Sequence, residues 1–109
     1  MAKKRVIQKK TDSKLQEYEL VYIVSPEVAE DALEARIDSI SQFITGKEGV
    51  IDGVDKWGKK RLAYPIKRFL DGNYVLTKFK MGPARCKELD ASLRMSEEII
   101  RHLLIKVGG

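Results

Sequence analysis

Residues 55–68 read DKWGKKRLAYPIKR. Leu62, Tyr64 and Ile66 alternate as strand residues do. Gly58 and Pro65 interrupt the pattern, and both weaken strands; proline has no N–H to give to a ladder. Six of these fourteen residues are basic and only Asp55 is acidic. An edge strand reconciles the three features. Its outer backbone row is unpaired, so Pro65 is tolerated there and Gly58 marks a bulge or bend. The alternating residues anchor the strand to a core, and the basic side chains remain free to meet solvent or a partner.

The flanking segments supply the rest of the sheet. YELVYIVS (Tyr18–Ser25) is almost continuously apolar, which predicts a central strand covered on both faces. SPEVAEDALEARIDSISQFITG follows and reads as a helix. Ser25 is the expected N-cap and Pro26 the first helical residue. Glu27, Glu30 and Asp31 fall in the first turns, where the helix dipole favours negative charge. Ala29, Leu33, Ile37, Ile40 and Ile44 recur at helical spacing as one buried stripe. Gly46 is expected to close the helix in a left-handed conformation. The strand carrying the opening stretch is expected over Gly49–Arg68. LDGN (Leu70–Asn73) signals a turn, and YVLTKFKM (Tyr74–Met81) the returning strand of a hairpin. GPARCKELDASLRMS opens with Pro83 and carries Cys86, Leu89 and Leu93 at helical spacing. EIIRHLLIKV (Glu98–Val107) suits a strand or a short helix by composition; its place in the order selects the strand.

The order β-α-β-β-α-β, with right-handed crossovers, predicts an α+β ferredoxin-like sandwich. Its four-stranded antiparallel sheet runs 4-1-3-2, with two helices on one face and the second strand at an edge. The 109-residue chain is long enough for one such core. Residues 1–16 show neither period and read as a flexible basic arm, leaving residues 17–109 as a single domain.

The net charge of +5 is unevenly distributed. Residues 1–16 carry +5, residues 26–55 carry −6 and residues 56–68 carry +6. A basic face opposite an acidic one suits a polyanionic partner. Candidate phosphate contacts are Lys59, Lys60, Arg61, Lys67 and Arg68, with Lys3, Lys4, Arg5, Lys9 and Lys10 on the arm. Trp57 either stacks on a base or packs in the hairpin, while the alternation places Tyr64 in the core. An RNA-recognition motif is not expected. In DGNYVLTKF, Asn73 and Val75 stand where its stacking aromatics belong.

Catalytic chemistry finds little footing. Cys86 lies on the apolar face of the second helix, as a structural thiol does. His102 has no evident carboxylate partner and is expected to meet backbone or solvent. One histidine and one cysteine do not make a zinc site. The acids of the first helix read as a solvated face, and SPEVAED after the first strand would repel phosphate. A lone cysteine also predicts a reducing compartment. No apolar run reaches the length of a membrane helix, and the basic start is no secretory signal.

GKKRLAYPIK (Gly58–Lys67) resembles the signature of bacterial small-subunit ribosomal protein six, and every position fits. YELVYIVSPE, DGNYVLTKFKM and KELDASLRMSEEIIRHLLIKV resemble that family's first strand, return strand, second helix and last strand. The resemblance spans roughly residues 17–107. It implies a ferredoxin-like fold and a non-enzymatic structural role in the small ribosomal subunit, in platform assembly and translation. It further implies binding to the central domain of the small-subunit RNA, as a heterodimer with ribosomal protein eighteen of that subunit. The implied location is cytoplasmic, on the ribosome, with an organellar ribosome as the alternative. No cofactor, metal, membrane or small-molecule substrate is implied. Two sets of residues carry over: the signature positions Gly58, Leu62, Ala63, Tyr64 and Ile66 with the basic residues among them, and Arg101, which joins the RNA-contact candidates. The competing expectations are a free ferredoxin-like module that oligomerises through its sheet, and a small acyl-phosphate hydrolase.

Overall fold

Alternation along the first strand sets the two faces of the sheet. In the computed structural model, which describes residues 15–107, β1 (Gln16–Val24) buries Tyr18, Leu20, Tyr22 and Val24 on one side. Helices α1 (Glu30–Gly46) and α2 (Pro83–Arg94) cover that side. The α1 stripe is Leu33, Ile37, Ile40 and Ile44, and the α2 stripe is Cys86, Leu89 and Leu93. The hairpin β2 (Val50–Ile66) and β3 (Phe69–Met81) and the last strand β4 (Ile99–Lys106) complete the sheet. Its order is β2-β3-β1-β4, all antiparallel, which is 4-1-3-2 read from the other edge. Phe79 lies opposite Tyr18, with ring centroids 5.5 Å apart, and Val75 lies opposite Tyr22. Burying each such side chain is worth about 1.5–3 kcal/mol, so this face supplies the main apolar stabilisation.

Several local expectations give way to the fold. Helix α1 starts at Glu30, with Ala29 as N-cap, rather than at Pro26. Ser25 instead opens a turn, its Oγ accepting from the Glu27 N–H and its carbonyl from the Val28 N–H. Ala29 is therefore exposed and outside the stripe. At the other end Gly46 is the last helical residue. The left-handed residue is Glu48, φ 68°, and the Gly49 N–H donates to the Ile44 carbonyl.

The hairpin turn is also displaced. Ile66 pairs with Phe69, so Lys67 and Arg68 make the turn, with Lys67 at φ 57°. LDGN lies inside β3. Gly72 is needed there for close approach: a Cβ would sit 2.3 Å from Ile23 Cγ2 and 3.3 Å from the Val24 carbonyl.

Candidate RNA and protein interfaces

The signature segment is where β2 leaves the ladder. Gly58 adopts φ +90°, a conformation open to glycine, and the register shifts beside it, as a bulge requires. Pairing continues through Arg61, opposite Asp71, and resumes only at Ile66, opposite Phe69. Residues 62–65 thus face the single residue Leu70. The surplus buckles across the side of the sheet that the helices leave open. Leu62, 7% exposed, seals onto Ile23 of β1 and Ile100 of β4. Tyr64 reaches β4, where its hydroxyl accepts a hydrogen bond from Arg101 Nη1 at 3.0 Å. Pro65 sits inside this unpaired loop, so no ladder bond is lost. The edge position expected for it is correct, but the bulge is the more direct reason it fits.

Tyr64 is 60% exposed, which corrects its expected core position. Leu62 and Ile66 face the small apolar cluster, and Ala63 is exposed. Trp57 is 43% exposed and lies along Tyr74, ring planes 18° apart, while its Nε1–H donates to Asp55. Hairpin packing therefore holds one of its faces.

The basic residues divide into two groups. Lys59, Lys60, Arg61 and Lys67 are exposed, and none has an acidic partner among the described residues. Lys56 and Arg68 are held within the fold. Lys56 binds Glu30 and Glu34 of α1. Arg68 donates to both carboxylate oxygens of Glu27 at 3.1 Å and lies 4.5 Å from the Phe69 ring centroid. The acidic and basic segments are thus partly neutralised against each other, which corrects the picture of opposed faces. Lys3, Lys4, Arg5, Lys9 and Lys10 lie outside the described residues.

Arg101 occupies a different surface. It projects with Leu103 and Ile105 from the open face of β4, opposite Ile23, Val21 and Glu19 of β1. Leu103 is 57% exposed. A groove of about 250 Å³ lies between these strands and the buckled loop, with Val21, Ile23 and Leu62 among its lining residues. Arg101 and Tyr64 also line it.

His102 points the other way. Its Nε2 lies 2.7 Å from Asp90 Oδ1 on α2, so it does have a carboxylate partner, contrary to expectation. That hydrogen bond, reinforced by Arg94, holds the Asp90 carboxyl below the usual range. Cys86 is buried as expected, and burial pushes its thiol up, away from nucleophilic use.

Residues 17–106, including the whole buckled segment, match the family model described as ribosomal protein S6. The chain belongs to the ribosomal protein S6 family. The small ribosomal subunit protein bS6 of Desulforamulus reducens is 38% identical over 94 residues, covering 86% of this chain and 99% of that protein. That of Moorella thermoacetica is 37% identical over 93 residues, covering 85% and 95%. The crystal structure of 30S ribosomal protein S6 from Thermotoga maritima shares 31% identity with a TM-score of 0.81, covering 85% of this chain and 88% of that one. The C-terminal domain of the MgtC protein from Mycobacterium tuberculosis shares the fold alone, at 17% identity and a TM-score of 0.57.

As an S6-family member, the protein is a structural, non-enzymatic constituent of the small ribosomal subunit and is ribosome-associated. This membership displaces the hydrolase and free-module alternatives. No described helix is long and apolar enough to cross a membrane. The S6 match starts at residue 17, so Lys3, Lys4, Arg5, Lys9 and Lys10 lie outside it. Among the features that escaped sequence reasoning are the Tyr64–Arg101 bond and the open apolar face. The alternation of Arg101, Leu103 and Ile105 signalled the second, while nothing local signalled the first.

Proposed function

We propose that this S6-family protein binds the central domain of the small-subunit ribosomal RNA through the hairpin, and binds ribosomal protein eighteen of the same subunit through its open sheet face. The two contacts together serve platform assembly. The supporting observation is the division among the basic residues. Lys59, Lys60 and Arg61 are consecutive, exposed and without acidic partners among the described residues, on an irregular edge strand. Lys67 adds a fourth charge at the turn. Such a row suits phosphates, which attract lysine and arginine without demanding one fixed geometry. Arg68 joins them by releasing Glu27, an exposed pair worth at most about 1 kcal/mol. The arm, with Lys3, Lys4, Arg5, Lys9 and Lys10, adds phosphate contacts to the unit formed by residues 17–109, in the cytoplasm.

A filter-binding titration over a range of salt, with the protein partner present, tests the RNA contact. Replacing Lys59, Lys60 and Arg61 together by alanine should reduce the log–log salt slope by about 2–3 and weaken binding. An unchanged slope would reject the hairpin as the RNA surface.

A further inference from the structure

The open face presents two kinds of chemistry at one place. The groove floor is aliphatic, from Val21, Ile23 and Leu62. Among the described residues, Arg101 is the one charged residue at its rim, apart from His102, whose ring engages Asp90. A guanidinium carries five N–H donors in a planar fork that matches a carboxylate. Arg101 gives one hydrogen bond to a neutral phenol and has no carboxylate partner among the described residues. Leu103 and Tyr64, both exposed, line the groove with it. At about 250 Å³ the groove lies below the usual range for small-molecule sites and suits one or two aliphatic side chains.

Building on the partner reading above, we propose that this groove receives an acidic–aliphatic segment of the protein partner. An aliphatic side chain enters beside Leu62, and a neighbouring carboxylate forks onto Arg101. The Tyr64 hydroxyl fixes the guanidinium in advance, so little side-chain freedom remains to be lost on binding. RNA fits this place less well. Its phosphates would meet a single cation among aliphatic side chains, whereas Lys59, Lys60, Arg61 and Lys67, without acidic partners among the described residues, cluster on and beside the far edge strand. The signature loop therefore divides the work: its basic start faces RNA, and Leu62 and Tyr64 build a protein-binding groove.

The test titrates purified ribosomal protein eighteen of the same subunit into the full-length chain and its variants by calorimetry. Arg101 and Leu103 are exposed, and unchanged circular dichroism would verify the fold of each variant. Arg101→Glu and Leu103→Glu should each weaken binding by about thirtyfold or more, as central interface anchors do. Arg101→Lys keeps the charge, loses the fork and should fall between. The triple alanine variant of Lys59, Lys60 and Arg61 should bind the protein normally. Charge-reversal scanning of the partner's acidic residues should find one that restores binding to Arg101→Glu. Absence of binding by the wild-type chain would overturn the partner reading and this assignment with it. Wild-type binding that survives both glutamate substitutions would overturn the groove alone. Loss of RNA affinity in Arg101→Glu with intact protein binding would make Arg101 a phosphate contact and also overturn it.

Discussion

The two faces of the sheet use similar residues to different ends. On the covered face, Tyr22, Val75 and Phe79 have almost no exposed surface and pack under both helices. On the open face, Tyr64, Leu103 and Ile105 are of similar character but are 44–60% exposed. The loop of residues 62–65 closes only a corner of that face, over Ile23 and Ile100. The contrast separates stability from recognition. Apolar residues that the described residues leave uncovered carry a cost in solubility, and the partner proposed above would give them a use.

Substitutions can break or sharpen this comparison. Leu20→Ala removes a side chain with no exposed surface from the covered face. It should cost about 2–5 kcal/mol in urea denaturation, while the protein that remains folded binds its partner normally. Leu62→Ala acts on the open face. Its cluster is small and can collapse, so the loss should lie at the low end, about 2 kcal/mol. It should also weaken the partner, because the loop it anchors loses its seat. Equal effects of the two substitutions on partner affinity would erase the distinction between the faces.

A smaller effect appears only in acid. The Asp90 carboxyl is held low by His102 and Arg94, so the folded state binds its proton less readily than the unfolded state does. The stability this confers is complete above the unfolded value, about 3.9, and is lost as pH falls through the lower folded value. Asp90→Asn should flatten that part of the stability profile in thermal melts from pH 5 to 2. A profile parallel to the wild type would mean that the pair contributes nothing. The smallest change is Thr77→Val. The Thr77 hydroxyl is buried, and its polar neighbour among the described residues is the Tyr22 hydroxyl, with which it makes no well-formed hydrogen bond. Its removal should leave stability unchanged or raise it by about 1 kcal/mol, read from the denaturation midpoint.

The strand and helix order was legible because apolar residues kept their period along Leu33–Ile44 and Cys86–Leu93 and because Tyr18–Val24 is almost continuously apolar, although the helices cover only one face of that strand and not both as expected. What failed depended on contacts between segments. Asp71 and Gly72 look like a turn, but Gly72 is small because Ile23 presses on it. The true turn uses Lys67 and Arg68, which carry no turn signal. Tyr64 alternates with Leu62 and Ile66, yet alternation predicts a shared face only while the ladder holds, and it lapses after Arg61. Summed segment charges hid the pairing of Lys56 with Glu30 and Glu34, which folding brings together across 26 and 22 positions. The basic stretch was visible as a candidate site. Which of its charges were already engaged was not, and neither was the groove, because residues from all four strands line it.

The buckled loop also bears on stoichiometry. Register shifts at three places along β2, after Ile51, Lys56 and Arg61, scramble the spacing of its outer backbone groups. Beta-strand addition needs an even row of donors and acceptors, and β4 keeps one from Arg101 to Lys106. The sheet can thus be extended on one side only. A strand added at β4 has no counterpart at β2, so copies of the chain cannot propagate edge to edge. Geometry of this kind favours an assembly that ends at a single partner over one that grows into a filament.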